Sequence, residues 1–326
     1  MLRTLQNKLL VWFLAFSLMT LLMVVPFSIH HINKKERISN VINQIDHLNL
    51  VLYRIIKSQN DFFNYETINP DYFNTGKSHE LIELEQNEEK LNDLFDKVVI
   101  QIEKQRFKLG GEIKELDSIY KKYTVTFDSI EQAVFKRGFK DYGVEGEMRD
   151  YVHNLEDMPK ISKTKVLSLR RHEKDYIIRN ENIYIKKLNA LGESFLEEIK
   201  QQPLKKEVKD SAVHYLENYL GLFNEMVRLD RKIGVKDNTG LKMELDQHVK
   251  LIEEKLRELE ERAGKKKVEL FNRLELIYLL FSLLIITLSV VVSMFVSKGI
   301  TTPFITLSSY LKKLIASDFK KKERII

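Results

Sequence analysis

The stretch LIYLLFSLLIITLSVVVSMFVS, Leu276 to Ser297, runs 22 residues without a charge, bounded by Arg273 and Glu275 on one side and Lys298 on the other. At 1.5 Å per residue, a helix of that length crosses a hydrocarbon core of roughly 30 Å. A second uncharged run lies near the N-terminus, from Leu9 to Ile29. A cleaved signal peptide would also begin with an apolar run, but this one exceeds the usual length, and Phe27-Ser28-Ile29-His30 offers no small-x-small cleavage site. It reads as an uncleaved membrane anchor. Two spans put both termini on one side, and Lys312, Lys313, Lys320, Lys321, Lys322 and Arg324 in the tail favour the cytoplasm, leaving the middle outside. Lys34, Lys35, Arg37 and Lys265 to Lys267 flank the outer ends and blur this rule, although large domains translocate despite such charge.

The composition of the whole chain is that of a soluble protein, with 31% charged and 44% hydrophobic residues, so the two runs stand out as local departures. Only 12 Gly and 5 Pro punctuate 326 residues, so long helices are the economical reading. The 53 basic and 47 acidic side chains nearly cancel to a net +6, which fits interleaved solvated helix faces and argues against a nucleic-acid partner. With no Cys there is no disulfide, thiolate metal site or cysteine nucleophile.

Apolar residues between the spans recur at steps of three and four. Ile113, Leu116, Tyr120, Tyr123, Phe127, Ile130 and Val134 make one stripe; Leu84, Leu91, Leu94, Val98 and Ile102 a second; Ala212, Tyr215, Tyr219, Leu222, Met226 and Leu229 a third. They read as core faces of helices. Turn chemistry at Asn69-Pro70-Asp71 with Asn74-Thr75-Gly76, Gly110-Gly111, Gly138 to Gly146, Gln202-Pro203 and Gly234 to Gly240 delimits about six long helices. Ser78 is the expected N-cap of the second.

The chain also resembles itself. Ile55-Ile56-Lys57-Ser58-Gln59-Asn60-Asp61-Phe62-Phe63 aligns with Leu169-Arg170-Arg171-His172-Glu173-Lys174-Asp175-Tyr176-Ile177. Gly143-Val144, Glu147-Met148, Val152, Leu155 and Glu156 align with Gly240-Leu241, Glu244-Leu245, Val249, Ile252 and Glu253. Helical periodicity alone explains the apolar matches but not the coincident Asp and Gly, which points to a duplication.

These segments carry a family likeness. Leu169 to Arg179 resembles the "RRxEKDFLLR" signature of helical bimodular sensor domains, and Gly143 to Glu156 resembles that family's second motif. The likeness covers about residues 33 to 273. It implies two stacked four-helix-bundle modules between two membrane spans, as in bacterial sensor histidine kinases and methyl-accepting chemoreceptors. In the tail, Ile300-Thr301-Thr302-Pro303-Phe304, Leu307, Leu311, Leu314 and Ala316-Ser317-Asp318-Phe319 resemble the first helix and turn of a HAMP relay domain, with Ser317 where Gly is usual. Apolar spacing of four, four and three suits a coiled-coil seam, and Pro303 suits a helix start. The resemblance makes Pro303, Phe304, Leu307, Leu311, Leu314 and Asp318 relay residues. About seven residues follow Phe319, too few for the second relay helix, so the output part is absent from this sequence.

The organisation expected is all-α: residues 1–8 cytoplasmic, 9–29 first span, 30–274 outer sensor domain with modules near 45–160 and 161–260, 276–297 second span, and 298–326 a partial HAMP domain in the cytoplasmic membrane. The partners expected are the lipid bilayer and a second copy of the chain. A small organic acid or amine would bind between helices. Arg54, Asn60 and Asp61 in the first module, and Arg171, Lys174, Asp175 and Arg179 in the second, are the candidate ligand groups. The competing reading has Asp61 and Asp175 pairing with basic neighbours across the bundle to fix its register. Phe62, Phe63, Tyr65, Tyr72 and Phe73 form either a pocket wall or a staple on the loop. No nucleotide loop, phospho-acceptor motif or helical His pair with a Glu base stands in the sequence, so no catalysis, metal or cofactor is expected. The outputs weighed are a sensor kinase, a chemoreceptor, and a membrane-tethered scaffold that signals nothing.

Overall fold

The computed structural model describes residues 2–235 and 239–322, with side chains described at 7, 10–235 and 239–315. Among the described residues the chain is all-helical: α1 (Leu2–Tyr65), a 3₁₀ turn (Glu66–Ile68), α2 (Pro70–Thr75), α3 (His79–Lys104), α4 (Gly110–Arg137), α5 (Gly143–Glu156), α6 (Lys163–Arg179), α7 (Asn182–Gln201), α8 (Lys206–Ile233) and α9 (Gly240–Lys322). Two helices, α1 and α9, are long and apolar enough to span a membrane.

Local chemistry sets most boundaries. Ser78 caps α3 as expected, its hydroxyl accepting from the Leu81 N–H, and Asn69 caps α2 with Pro70 in the first turn. Two breaks were not expected. Residues 157–162 separate α5 from α6, and Asn180 ends α6 in the left-handed region that Asn tolerates. Gly110-Gly111 begins α4 rather than forming a loop, and Gly146 lies inside α5.

The chain divides into two compact units, Met1–Asn40 with Gly264–Ile326, and Val41–Ala263. In the first unit, Phe27 of α1 stacks on Phe281 of α9 with ring centroids 3.8 Å apart, His31 lies 4.7 Å from Tyr278, and Lys35 pairs with Glu275 at 2.8 Å. Side chains of both apolar runs, such as Leu22, Phe13, Leu284 and Phe295, are exposed on the isolated chain. Pro303 does not begin a helix. Helix α9 runs through it, which sacrifices one backbone hydrogen bond, while the Thr302 hydroxyl donates to the Lys298 carbonyl at 2.9 Å.

The second unit holds the core. All seven residues of the Ile113 to Val134 stripe and all five of the Leu84 to Ile102 stripe are buried. The α8 stripe is rotated from its expected position. Ala212, Leu216, Tyr219, Phe223 and Met226 are buried, whereas Tyr215 and Leu222 are half-exposed beside them. Steps of four, three, four and three follow the inward face more closely than the alternative path through two large neighbours.

Helix α4 packs on α8 as well as on its other neighbours, so these helices form one connected unit in which two groupings recur. Helix α4 meets α1 through Tyr123 and Gln59, α3 through Tyr120 and Glu88, and α9 through Glu112–Arg262 and Glu115–Lys255. Helix α8 meets α6 through Tyr219 and Glu173, and α7 through Asn189 and Asn224. It also packs along α5, where Tyr151 approaches Tyr215.

Candidate functional site

The duplication read from sequence reappears as geometry. Phe62 meets Phe127 edge-on at 5.6 Å and 76°, and Tyr176 meets Phe223 at 5.5 Å and 75°. One turn earlier the Tyr123 hydroxyl donates to Gln59 at 2.8 Å, and the Tyr219 hydroxyl donates to Glu173 at 2.9 Å. Each of α4 and α8 then ends on a glycine at positive φ, Gly138 at 79° and Gly234 at 86°. The next helices begin at Gly143 and Gly240, at 61° and 58°. A Cβ on Gly138 would lie 1.9 Å from the Tyr142 carbonyl oxygen, and one on Gly234 would lie 1.9 Å from that of Thr239. Only glycine fits these two turns.

Charge is buried between the turns. Arg137, the last residue of α4, donates through Nε to Asp230 at 2.8 Å and through Nη1 to Glu145 at 2.6 Å. Arg149 donates to Glu145 at 3.0 Å, and the Tyr176 hydroxyl donates to the second Asp230 oxygen at 3.1 Å. Asp230 and Glu145 are each 4% exposed and Glu173 is 3% exposed. Burial pushes the Glu173 carboxyl above the ordinary range, opposed by the Tyr219 hydrogen bond and the cations Arg170 and Arg149. Burial lowers the Arg137 guanidinium, but Asp230 and Glu145 outweigh it and leave that group raised. The cluster ties α4, α5, α6 and α8 together with complementary charge, which makes it costly to break.

Of the ligand residues expected from sequence, Asn60 and Lys174 are the chain neighbours of Gln59 and Glu173. Arg54, Asn60, Arg171, Lys174 and Arg179 are exposed, and Asp61 and Asp175 are half-buried. The two aspartates pair along their own helices, Asp61 with Lys57 at 3.3 Å and Asp175 with Arg179 at 3.9 Å, rather than across a bundle. Arg54 lines an open groove of about 420 Å³ between α1 and α3, with Lys57, Glu83 and Lys90. The inward positions of the repeated motif belong instead to Gln59 and Glu173. Of the aromatic cluster, Phe62, Tyr72 and Phe73 are buried against one another and Tyr65 is exposed. Phe304, Leu307, Leu311 and Leu314 are exposed along α9; Asp318 lies in its last turns, with its side chain outside the described residues.

No protein-family model matches the sequence, and comparison with curated proteins finds no relative.

Proposed function

We propose that the chain is the input part of a membrane receptor, in which a change among the helices of residues 41–263 shifts α9 and, through it, a cytoplasmic relay. The observation that carries this reading is the pair of matched, buried polar contacts, Gln59–Tyr123 and Glu173–Tyr219. A spacer needs no polar interior, and polar groups inside helical packing are kept where register or switching depends on them. In this reading α1, α3, α4 and the first part of α9 form one four-helix module, and α5 to α8 form the other. The apolar runs cross the cytoplasmic membrane, with residues 41–263 outside. Phe304, Leu307, Leu311 and Leu314 then face the same residues of a second copy, as in the first helix of a HAMP dimer. A kinase output is preferred to a chemoreceptor output, and the chain itself performs no catalysis.

The absence of Cys makes topology directly testable. In intact cells, Ile178→Cys, at a site 79% exposed, is expected to react with a membrane-impermeant maleimide, and Ser309→Cys only after permeabilisation. Equal labelling of both, or labelling of Ser309→Cys alone, refutes the reading.

A further inference from the structure

The two repeats differ in what fills the space beside the Phe62–Phe127 and Tyr176–Phe223 pairs. In the first, α2 is inserted between α1 and α3 and fills the space beside Phe62: Tyr72 lies 5.3 Å from Phe62 and 5.6 Å from Phe135, and Phe73 stacks on Phe135, Phe139 and Tyr142 at 6.2 to 6.3 Å. The second repeat has no such insertion, because α6 and α7 are joined only through Asn180 and Glu181. The matching positions also change character. Val134 and Phe135, four and three residues before Gly138, become Asp230 and Arg231 before Gly234, and Tyr142 before Gly143 becomes Thr239 before Gly240. Where the first repeat is plugged by its own aromatic rings, the described residues of the second leave an open cavity of about 210 Å³ lined by Tyr176, Asn180, Asn182, Ile185, Asp230 and Arg231, with Thr239.

We propose that this cavity binds a free α-amino acid, its ammonium on Asp230 and its carboxylate on Arg231. The cavity presents one carboxylate and one guanidinium from adjacent residues, so a dianion would meet Asp230 and a diamine would meet Arg231, while a zwitterion satisfies both. Capacity remains at each group. Asp230 accepts one bond per oxygen, from Arg137 and Tyr176, and each oxygen has a second lone pair; Arg231 spends one of its five N–H donors on Asn182, at 2.9 Å. Asn180 and Asn182 supply amides for further polar contacts, and Ile185 supplies the apolar wall. The volume is below that of drug-sized pockets and suits a ligand of few heavy atoms. Thr239 immediately precedes α9, so the ligand would touch the start of the helix proposed to carry the signal. That last role rests on the receptor reading, whereas binding does not.

The test is thermal melting of the detergent-solubilised full chain with glycine, L-alanine or L-glutamine, against acetate and methylammonium as half-ligands. At least one amino acid is expected to raise Tm by about 5 °C at a hundredfold excess over its Kd, with no comparable rise from either half-ligand. Arg231→Gln, at an exposed residue, is expected to weaken binding at least about tenfold, the loss of one charge-assisted contact. Ile185→Trp, which imitates the aromatic plug of the first repeat, should abolish binding, and Arg228→Gln should leave it unchanged. The proposal is overturned if no probe amino acid shifts Tm, if half-ligands act equally, or if Arg231→Gln and Ile185→Trp both bind as wild type. Failure here with the maleimide pattern intact removes the ligand site and leaves the receptor reading standing.

Discussion

The matched hydroxyls of Tyr123 and Tyr219 allow one repeat to serve as the control for the other. Tyr219→Phe and Tyr123→Phe each delete a single buried hydroxyl whose acceptor lies 2.9 or 2.8 Å away, but the acceptor is Glu173 in one case and Gln59 in the other. A neutral hydrogen bond contributes about 0.5–1.5 kcal/mol and one to a charged group about 1.5–3 kcal/mol. At about 2–4 °C per kcal/mol for a domain of this size, Tyr123→Phe should lower Tm by about 3 °C and Tyr219→Phe by about 7 °C at pH 8. The larger loss should shrink on acidification, as Glu173 takes up a proton. The same group gives wild type a pH signature. Because burial raises the folded-state pKa of Glu173 above its unfolded value, its contribution to stability is fully present below the unfolded pKa and is lost as pH rises through the folded one. Glu173→Gln copies the first repeat and should remove that slope, so the Tm difference, variant minus wild type, grows from pH 4.5 upward. Circular dichroism melts of the solubilised full chain across pH 4.5–8.5 measure both effects. Equal, pH-independent losses for the two Tyr→Phe variants would refute the assignment of an ionisable acceptor to Tyr219 and a neutral one to Tyr123.

Two further substitutions probe the turns. Arg137→Met leaves Asp230 and Glu145 buried without their shared cation, a change expected to cost about 3–5 kcal/mol and lower Tm by about 10 °C, read in the same melts; Arg137→Lys should recover part of it. Gly234→Ala should cost more than about 2 kcal/mol, from the left-handed backbone and the Thr239 carbonyl, whereas Gly221→Ala, with open space around its Cβ, should stabilise α8 by about 0.5–1 kcal/mol, both measurable by urea unfolding.

The helical class and the two apolar runs were legible because each rests on local chemistry: uncharged length for the runs, three-and-four spacing for the stripes. The duplication was legible through Asp61 and Asp175, yet those residues face partly outward. The inward pair is Gln59 and Glu173: Ile55, Gln59 and Phe62, like Leu169, Glu173 and Tyr176, step by four and three along one face. A carboxylate on a core face is the stronger signal of a buried contact than a charge beside it. Asp230 was less accessible to such reading, since its burial depends on Arg137, far away in sequence and brought near only by the fold. The aromatic cluster around Tyr72 was legible as a group, but its function as a plug emerges only when it is set against the second repeat, which lacks it.

The contacts made after each glycine turn have a consequence for folding. Helix α5, which follows α4, packs along α8, and α9, which follows α8, pairs with α4 through Glu112–Arg262 and Glu115–Lys255. Each repeat thus lends its closing helix to the other. Removing α5 or α9 takes away the helix that packs on α8 or α4, and the apolar surface it covered is lost from the core at about 25 cal/mol per Å². Neither repeat should fold alone, and residues 41–263 should unfold in one cooperative step despite their two-part pattern. Coincident transitions of the full chain, followed by far-ultraviolet circular dichroism and by the fluorescence of a probe attached at Ser129→Cys or, separately, at Glu193→Cys, would agree with this exchange. A probe on one repeat reporting an earlier midpoint than the other would refute it, because a half that melts first cannot be supplying the helix that closes its neighbour.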